Sequence, residues 1–226
     1  MIHPTALEIF RILAECDSVP PSASQQSLEQ TCVRRAARLL DEALPWQRGH
    51  GQRTAYLAQR LGLTAGFDSE TLHHLTLAAL LHDIGLLALP SSLVSPAGYL
   101  DFHSYAARQS HPRLGAQWLE PYRFLRQASV IIAHHHERWD GSGYPYGMRG
   151  TTIPIEARVL AIADAFDAIE VVDADDHKMR DEAAYRIIRS ASGTQFDAQL
   201  VDLCPLAYSH ESRPSEHPHQ SCSLTV

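Results

Sequence analysis

Apolar positions recur three and four residues apart along most of this chain, the period of helices with one buried face. "PTALEIFRILAEC" predicts a short amphipathic helix, and "VPPSAS" breaks it, with Ser24 or Ser27 placed to cap the next. "SLEQTCVRRAARLLDEAL" predicts a long helix ending near Pro45, and "GHGQRTAYLAQRLGL" another, stopped by Gly62. "DSETLHHLTLAALLHDIG" opens on Asp68 or Ser69 and closes at Gly85. "LLALPSSLVSPAGYL" reads as a loop, followed by two shorter helices around 101–110 and 112–121. "RFLRQASVIIAHHHERW" is helical, "DGSGYPYGMRGTTIP" is a long irregular loop, and "IPIEARVLAIADAFDAIEVV" is a strongly periodic helix. "RDEAAYRIIRSASG" and "DAQLVDLC" complete the pattern. No alternating strand run exceeds a few residues and no segment repeats, so the fold class is all-α.

The same spacing says which polar side chains point inward. His50 stands in line with Thr54, Leu57 and Leu61. His82 follows Leu75, Ala78 and Ala79, and Asp83 follows Leu72, Ala79 and Leu80. His135 continues Leu125, Ala128 and Ile132, while His136 continues Ser129 and Ile132. His134 falls on another side. In the helix after the loop, Ile155, Val159, Ile162, Phe166 and Ile169 form the core seam. Asp164 lies on a second face with Ala157, Ala161 and Ala168, small neighbours that leave room around a carboxylate. His111 precedes Pro112 at a helix start, where periodicity gives no direction. One inward histidine is most often a satisfied core residue. Six inward imidazoles and carboxylates together point to a metal, because a buried carboxylate without a cation or several donors is costly. An all-nitrogen and carboxylate set suits iron, manganese or zinc at an open site. His73, His74, His103, His134, His177 and the tail histidines read as surface residues.

Composition narrows the class further. The 226 residues include 14 histidines, which is why their placement matters. A formal net charge of −7 excludes a surface built to coat a nucleic-acid polymer, but not a small anionic substrate beside a metal. Cys16, Cys32, Cys204 and Cys222 form no CxxC pair, so neither a zinc knuckle nor a disulfide framework is expected. "MIHPTALEIFRILAECDSVPPS" has no basic segment before an apolar run, and no apolar stretch nears the ~20 residues that span a bilayer. The expectation is a cytoplasmic protein with no membrane partner. Residues 1–45 are expected to pack on the core or dimerise, 46–206 to form the main domain, and the polar, proline-bearing 207–226 to be disordered.

"LLHDIG" at 80–85 and "HHERWDGSGYP" at 135–145 make the chain resemble the HD-GYP family of bacterial phosphodiesterases, a branch of the HD metal-dependent phosphohydrolases. "HGQRTAYLAQRLG" at 50–62, "HPRLGA" at 111–116 and "AIADAFDAIE" at 161–170 agree, so the resemblance covers roughly residues 46–204. It implies an HD-type helical bundle with an irregular GYP loop. It implies metal ligands His50, His82, Asp83, His111, His135, His136 and Asp164, with His82 and Asp83 central to catalysis and Asp83 bridging two metals. Asp140, Gly141, Gly143, Tyr144 and Pro145 would shape the substrate pocket. The ions would be iron or manganese first, with zinc and nickel also compatible. The implied substrate is cyclic di-GMP or a related cyclic dinucleotide; a GGDEF-type protein is the partner a non-catalytic module of this family would bind, and a homodimer would come from residues 1–45.

The sequence departs from the family at three places. Some members carry a glutamate four residues before the first histidine ligand. Trp46 stands there here, which implies two metals and hydrolysis to the linear form only. Leu86 replaces the lysine that usually follows the HDIG glycine, and Asp173, Asp175 and Asp176 fall where a basic stretch is usual. Two lost charge-assisted phosphate contacts weaken binding by roughly two to four orders of magnitude. That leaves two alternatives to a cyclic dinucleotide phosphodiesterase. One is a weak or inactive module that works by binding a nucleotide or partner protein. The other is a phosphohydrolase with a different phosphoester substrate.

Overall fold

The computed structural model describes residues 2–20, 24–94, 102–169 and 177–208, with backbone alone for 102–104 and 177–181. These residues form eleven α-helices and no strand: α1 (Pro4–Asp17), α2 (Gln25–Ala43), α3 (His50–Thr64), α4 (Ser69–Leu81), α5 (Ser91–Val94), α6 (Phe102–Arg108), α7 (His111–Leu119), α8 (Arg126–His134), α9 (Ile155–Ala168), α10 (His177–Ser190) and α11 (Ala198–Ala207). Asp173, Asp175 and Asp176 and nearly all of the proline-bearing tail lie outside the described residues, as do the side chains of His103 and His177.

The centre of the bundle is α4, which packs on α3, α8 and α2, while α9 packs on α3 and reaches α4 and α8. Asp68 caps α4, its carboxylate accepting from the Thr71 amide at 2.8 Å. One contiguous apolar cluster runs from Ala6 and Ile9 of α1, through Val33 and Leu40 of α2 and Leu75 and Leu81 of α4, to Val201 of α11. The two N-terminal helices therefore share the core with the rest of the chain.

Ser69–Ala88 is apolar enough by length and composition to cross a membrane, against the expectation that no such stretch exists, but 78% of the window is buried inside the fold. Leu75, Leu77, Leu80, Leu81, Ile84 and Leu86 are all packed there.

Several expectations need correction. His73 is buried, with Nε2 2.7 Å from Glu29 Oε2 and Nδ1 3.4 Å from Gln30 Nε2, so it joins α4 to α2. His74 and His134 are half-buried. Ile155, the first residue of α9, is exposed. Gly62 does not stop α3. The helix runs on to Thr64, and Gly62 lets it approach α4 so closely that a Cβ would sit 2.9 Å from Leu72 Cδ2. In the segment read as a loop after Gly85, Ile84–Ala88 is a 3-10 turn and α5 follows it.

Candidate metal centre

Five segments bring their imidazole and carboxyl groups to one place. His50 begins α3, His82 and Asp83 follow the last turn of α4, His111 begins α7, His135 and His136 follow α8, and Asp164 lies on α9. Helix ends suit this task, since there the backbone has stopped pairing with itself and side chains can converge. His82 Nδ1 donates to Ala79 O at 2.8 Å, His111 Nδ1 to Arg108 O at 2.9 Å and His135 Nδ1 to Ile132 O at 2.7 Å. Each ring is therefore held through Nδ1 and aims Nε2 inward, the orientation a metal ligand needs.

The ligand atoms fall into two groups. His50, His82 and Asp83 form one and His111, His135 and His136 the other, with potential ligand atoms inside each group within 4.8 Å of one another. Asp83 lies between them: Oδ2 is 3.6 Å from His82 Nε2, and Oδ1 is 3.2 Å from His111 Nε2. Asp164 Oδ1 lies 3.1 Å from His50 Nε2 and 3.6 Å from His82 Nε2.

The electrostatics are those of buried imidazoles and carboxylates held against one another. Burial pulls the His50 imidazole down, but hydrogen bonds to Asp164 and Asp167 outweigh it and raise it to about 10. Burial pushes Asp83 and Asp164 up, yet the surrounding imidazoles hold both carboxyls well below the usual range. Burial and the neighbouring rings hold His135 well below its ordinary value, and burial takes His136 down to about 4, so both are neutral ligands at pH 7. The buried Nε2 atoms of His111 and His135 have no aligned hydrogen-bond partner among the described residues. Aimed lone pairs, ionised carboxylates and orphaned nitrogens fit a divalent cation.

Residues not singled out from sequence hold this set in place. Gln47 Nε2 donates to Asp83 Oδ2 at 2.6 Å. Asp167 Oδ2 accepts from His50 Nδ1 at 2.7 Å, and Arg53 clamps the same carboxylate at 2.7 and 3.0 Å. Asp167 lies three residues after Asp164 and Arg53 three after His50, so both carried a same-face signal. Gln47 sits in a 3-10 turn without any period to betray it. Groups that fix a ligand's orientation typically carry 10–100-fold in metal affinity. Gln47→Ala is expected to weaken manganese binding by about that factor while leaving the fold intact, as read by metal titration and thermal melting.

A cavity of about 410 Å³ opens onto the cluster, with Asp83, His111, His136, Asp164 and Tyr144 in its wall. Of the five loop residues expected to shape the pocket, Tyr144 lines it. Asp140, Gly141 and Gly143 fix the backbone of the loop that carries Tyr144, and Pro145 follows it through a cis peptide bond. Asp140 Oδ1 accepts from Ser142 N at 2.9 Å and Ser142 Oγ at 2.6 Å, bonds that lower the carboxyl to about 2. Gly141 has φ +84°, and a Cβ on Gly143 would collide with the Arg138 amide and the His136 carbonyl. Glu137 is buried behind the loop, accepting from Tyr146 N at 2.7 Å and Met148 N at 2.9 Å.

Comparison with known proteins agrees with this geometry. The HD domain family profile matches residues 34–200. A 3′3′-cGAMP-specific phosphodiesterase 2 of Vibrio cholerae is 36% identical over 156 residues, 68% of this chain and 30% of that protein. The cyclic di-GMP phosphodiesterase response regulator RpfG of Xanthomonas campestris is 31% identical over 194 residues, 85% of this chain and 50% of that protein. The chain thus spans 30 to 50% of the length of these relatives. The solved structure of Bd1817, an HDG"Y"P protein from Bdellovibrio bacteriovorus, superposes with a TM-score of 0.59 at 20% identity, covering 88% of this chain and 69% of that one. With its HDIG and GYP segments on either side of one histidine–aspartate cluster, the chain belongs to the HD domain family, in the HD-GYP branch.

Proposed function

We propose that this chain is a metal-dependent phosphodiesterase that opens a cyclic dinucleotide, cyclic di-GMP or a relative such as 3′3′-cGAMP, to its linear form. The observation that carries the reading is the convergence of His50, His82, Asp83, His111, His135, His136 and Asp164 beside one open cavity. Asp83, reaching toward both ligand groups, is suited to bridge two ions. Divalent ions bound there would polarise a phosphate and lower the pKa of a water. His82, His111 and His135 present fixed lone pairs, and the cavity wall orients the phosphodiester. Trp46 lines the cavity where some relatives would carry a further carboxylate, which supports two ions over three. Free thiols at Cys16, Cys32 and Cys204 suit a reducing cytoplasm.

Purification without oxygen followed by elemental analysis identifies the metal. With manganese or iron(II), the wild-type protein is expected to release a linear dinucleotide, and His82→Ala to release none. Tight binding with no product would favour a second reading, a nucleotide-binding module, which Leu86 in the cavity wall supports because it puts a hydrocarbon where the family pattern implies a lysine. Cleavage of simple aryl phosphodiesters alone would point to another substrate.

A further inference from the structure

Asp83, Asp164 and Asp167 line the cavity, alongside the guanidinium groups of Arg53 and Arg108. Arg53 is committed, gripping both oxygens of Asp167. Arg108, the last residue of α6, is half-buried in the cavity wall, and its side chain has no hydrogen bond or ion pair among the described residues. A partly desolvated guanidinium without a partner is a standing demand for an anion. Its planar fork matches two oxygens of a phosphodiester. Tyr105 lies three residues earlier, on the same side of α6, and keeps 53% of its surface exposed while lining the same cavity.

A cyclic dinucleotide has two phosphates and two bases. The metal ligands account for one phosphate, and Leu86 offers the other nothing. We propose that Arg108 grips the phosphate not held at the metal centre and that Tyr105 stacks on a base beside it, so that α6 supplies the substrate contacts missing at position 86. This inference rests on the phosphodiesterase reading above. Only the side chain of Arg108 is involved; its carbonyl, which holds His111, is kept in any substitution.

The test is equilibrium binding and steady-state hydrolysis of cyclic di-GMP and 3′3′-cGAMP, with bound manganese counted in each protein. Arg108→Met is expected to raise Kd about 10- to 100-fold, to flatten its dependence on salt, and to raise KM far more than it lowers kcat. Manganese per chain is expected to stay at the wild-type value. Arg108→Lys is expected to recover part of the affinity, and Tyr105→Phe to bind better than Tyr105→Ala. Wild-type affinity and salt dependence in Arg108→Met would overturn the inference and leave the phosphodiesterase reading standing. A wild-type protein that neither binds nor hydrolyses any cyclic dinucleotide would overturn that reading, and the inference with it.

Discussion

Asp83→Asn is expected to lower phosphodiesterase turnover by about three orders of magnitude or more and to abolish tight binding of a second manganese. Asp83 is the carboxylate whose two oxygens face different ligand groups, 3.6 Å from His82 Nε2 and 3.2 Å from His111 Nε2. Asparagine keeps the shape but offers one neutral oxygen instead of two anionic ones. Losing roughly 4 kcal/mol of charge stabilisation at the reacting phosphate is about a thousandfold in rate. The fold should survive, since the amide oxygen can still accept from Gln47. The metal-free variant is expected to melt below wild type, because the imidazoles that hold this carboxyl well below its usual range are themselves stabilised by its charge. Full turnover in Asp83→Asn, or an unfolded protein, would contradict this account. Metal titration, calorimetric melting and product analysis separate the cases.

The second large effect is expected from Gly85→Ala, a change of one methyl group outside the ligand set. The 3-10 turn Ile84–Ala88 lies directly against the start of α7. A Cβ at position 85 would collide with the carbonyl of His111 and stand 2.7 Å from the amide of Gly115. Those are backbone atoms, so no rotamer change relieves the clash. Overpacking of this kind costs about 3 kcal/mol or more. In a chain of this length that corresponds to a fall in Tm of roughly 6–12 °C. Any shift of α7 that makes room carries His111 away from Asp83, so manganese affinity should fall with stability. Gly115→Ala, where a Cβ would lie 3.2 Å from Gly85 N, should show a milder form of the same defect. A Gly85→Ala protein with the wild-type Tm and metal affinity would show that this contact is softer than the geometry requires.

Most of the candidate site could be read from helical spacing, because its ligands sit where apolar stripes end. His50 extends the Thr54–Leu57–Leu61 stripe and Asp164 interrupts an alanine face, and both patterns survive in three dimensions. His111 needed the family resemblance, since a residue at the first turn of a helix has too few neighbours to set a phase. Gln47 and the full Asp167–Arg53 clamp were hidden because their partners lie 36 and 114 residues away, and local pattern carries no long-range pairing. His73 was misplaced for a different reason. Helix α4 is apolar almost all round, so periodicity cannot separate a face toward α3 from a face toward α2. Gly62 shows the opposite error, in which a residue that commonly ends helices serves close packing between two of them.

The pairing of His73 with Glu29 deepens what α1 and α2 mean for the molecule. The helix that presents His82 and Asp83 is bolted on its rear side to α2 through a charge-assisted bond sealed from water. Trimming the polypeptide at Trp46 would strip that bolt and leave the buried His73 imidazole without its carboxylate. The Glu29–His73 pair therefore couples the placement of α2 to the helix whose end carries two of the ligands.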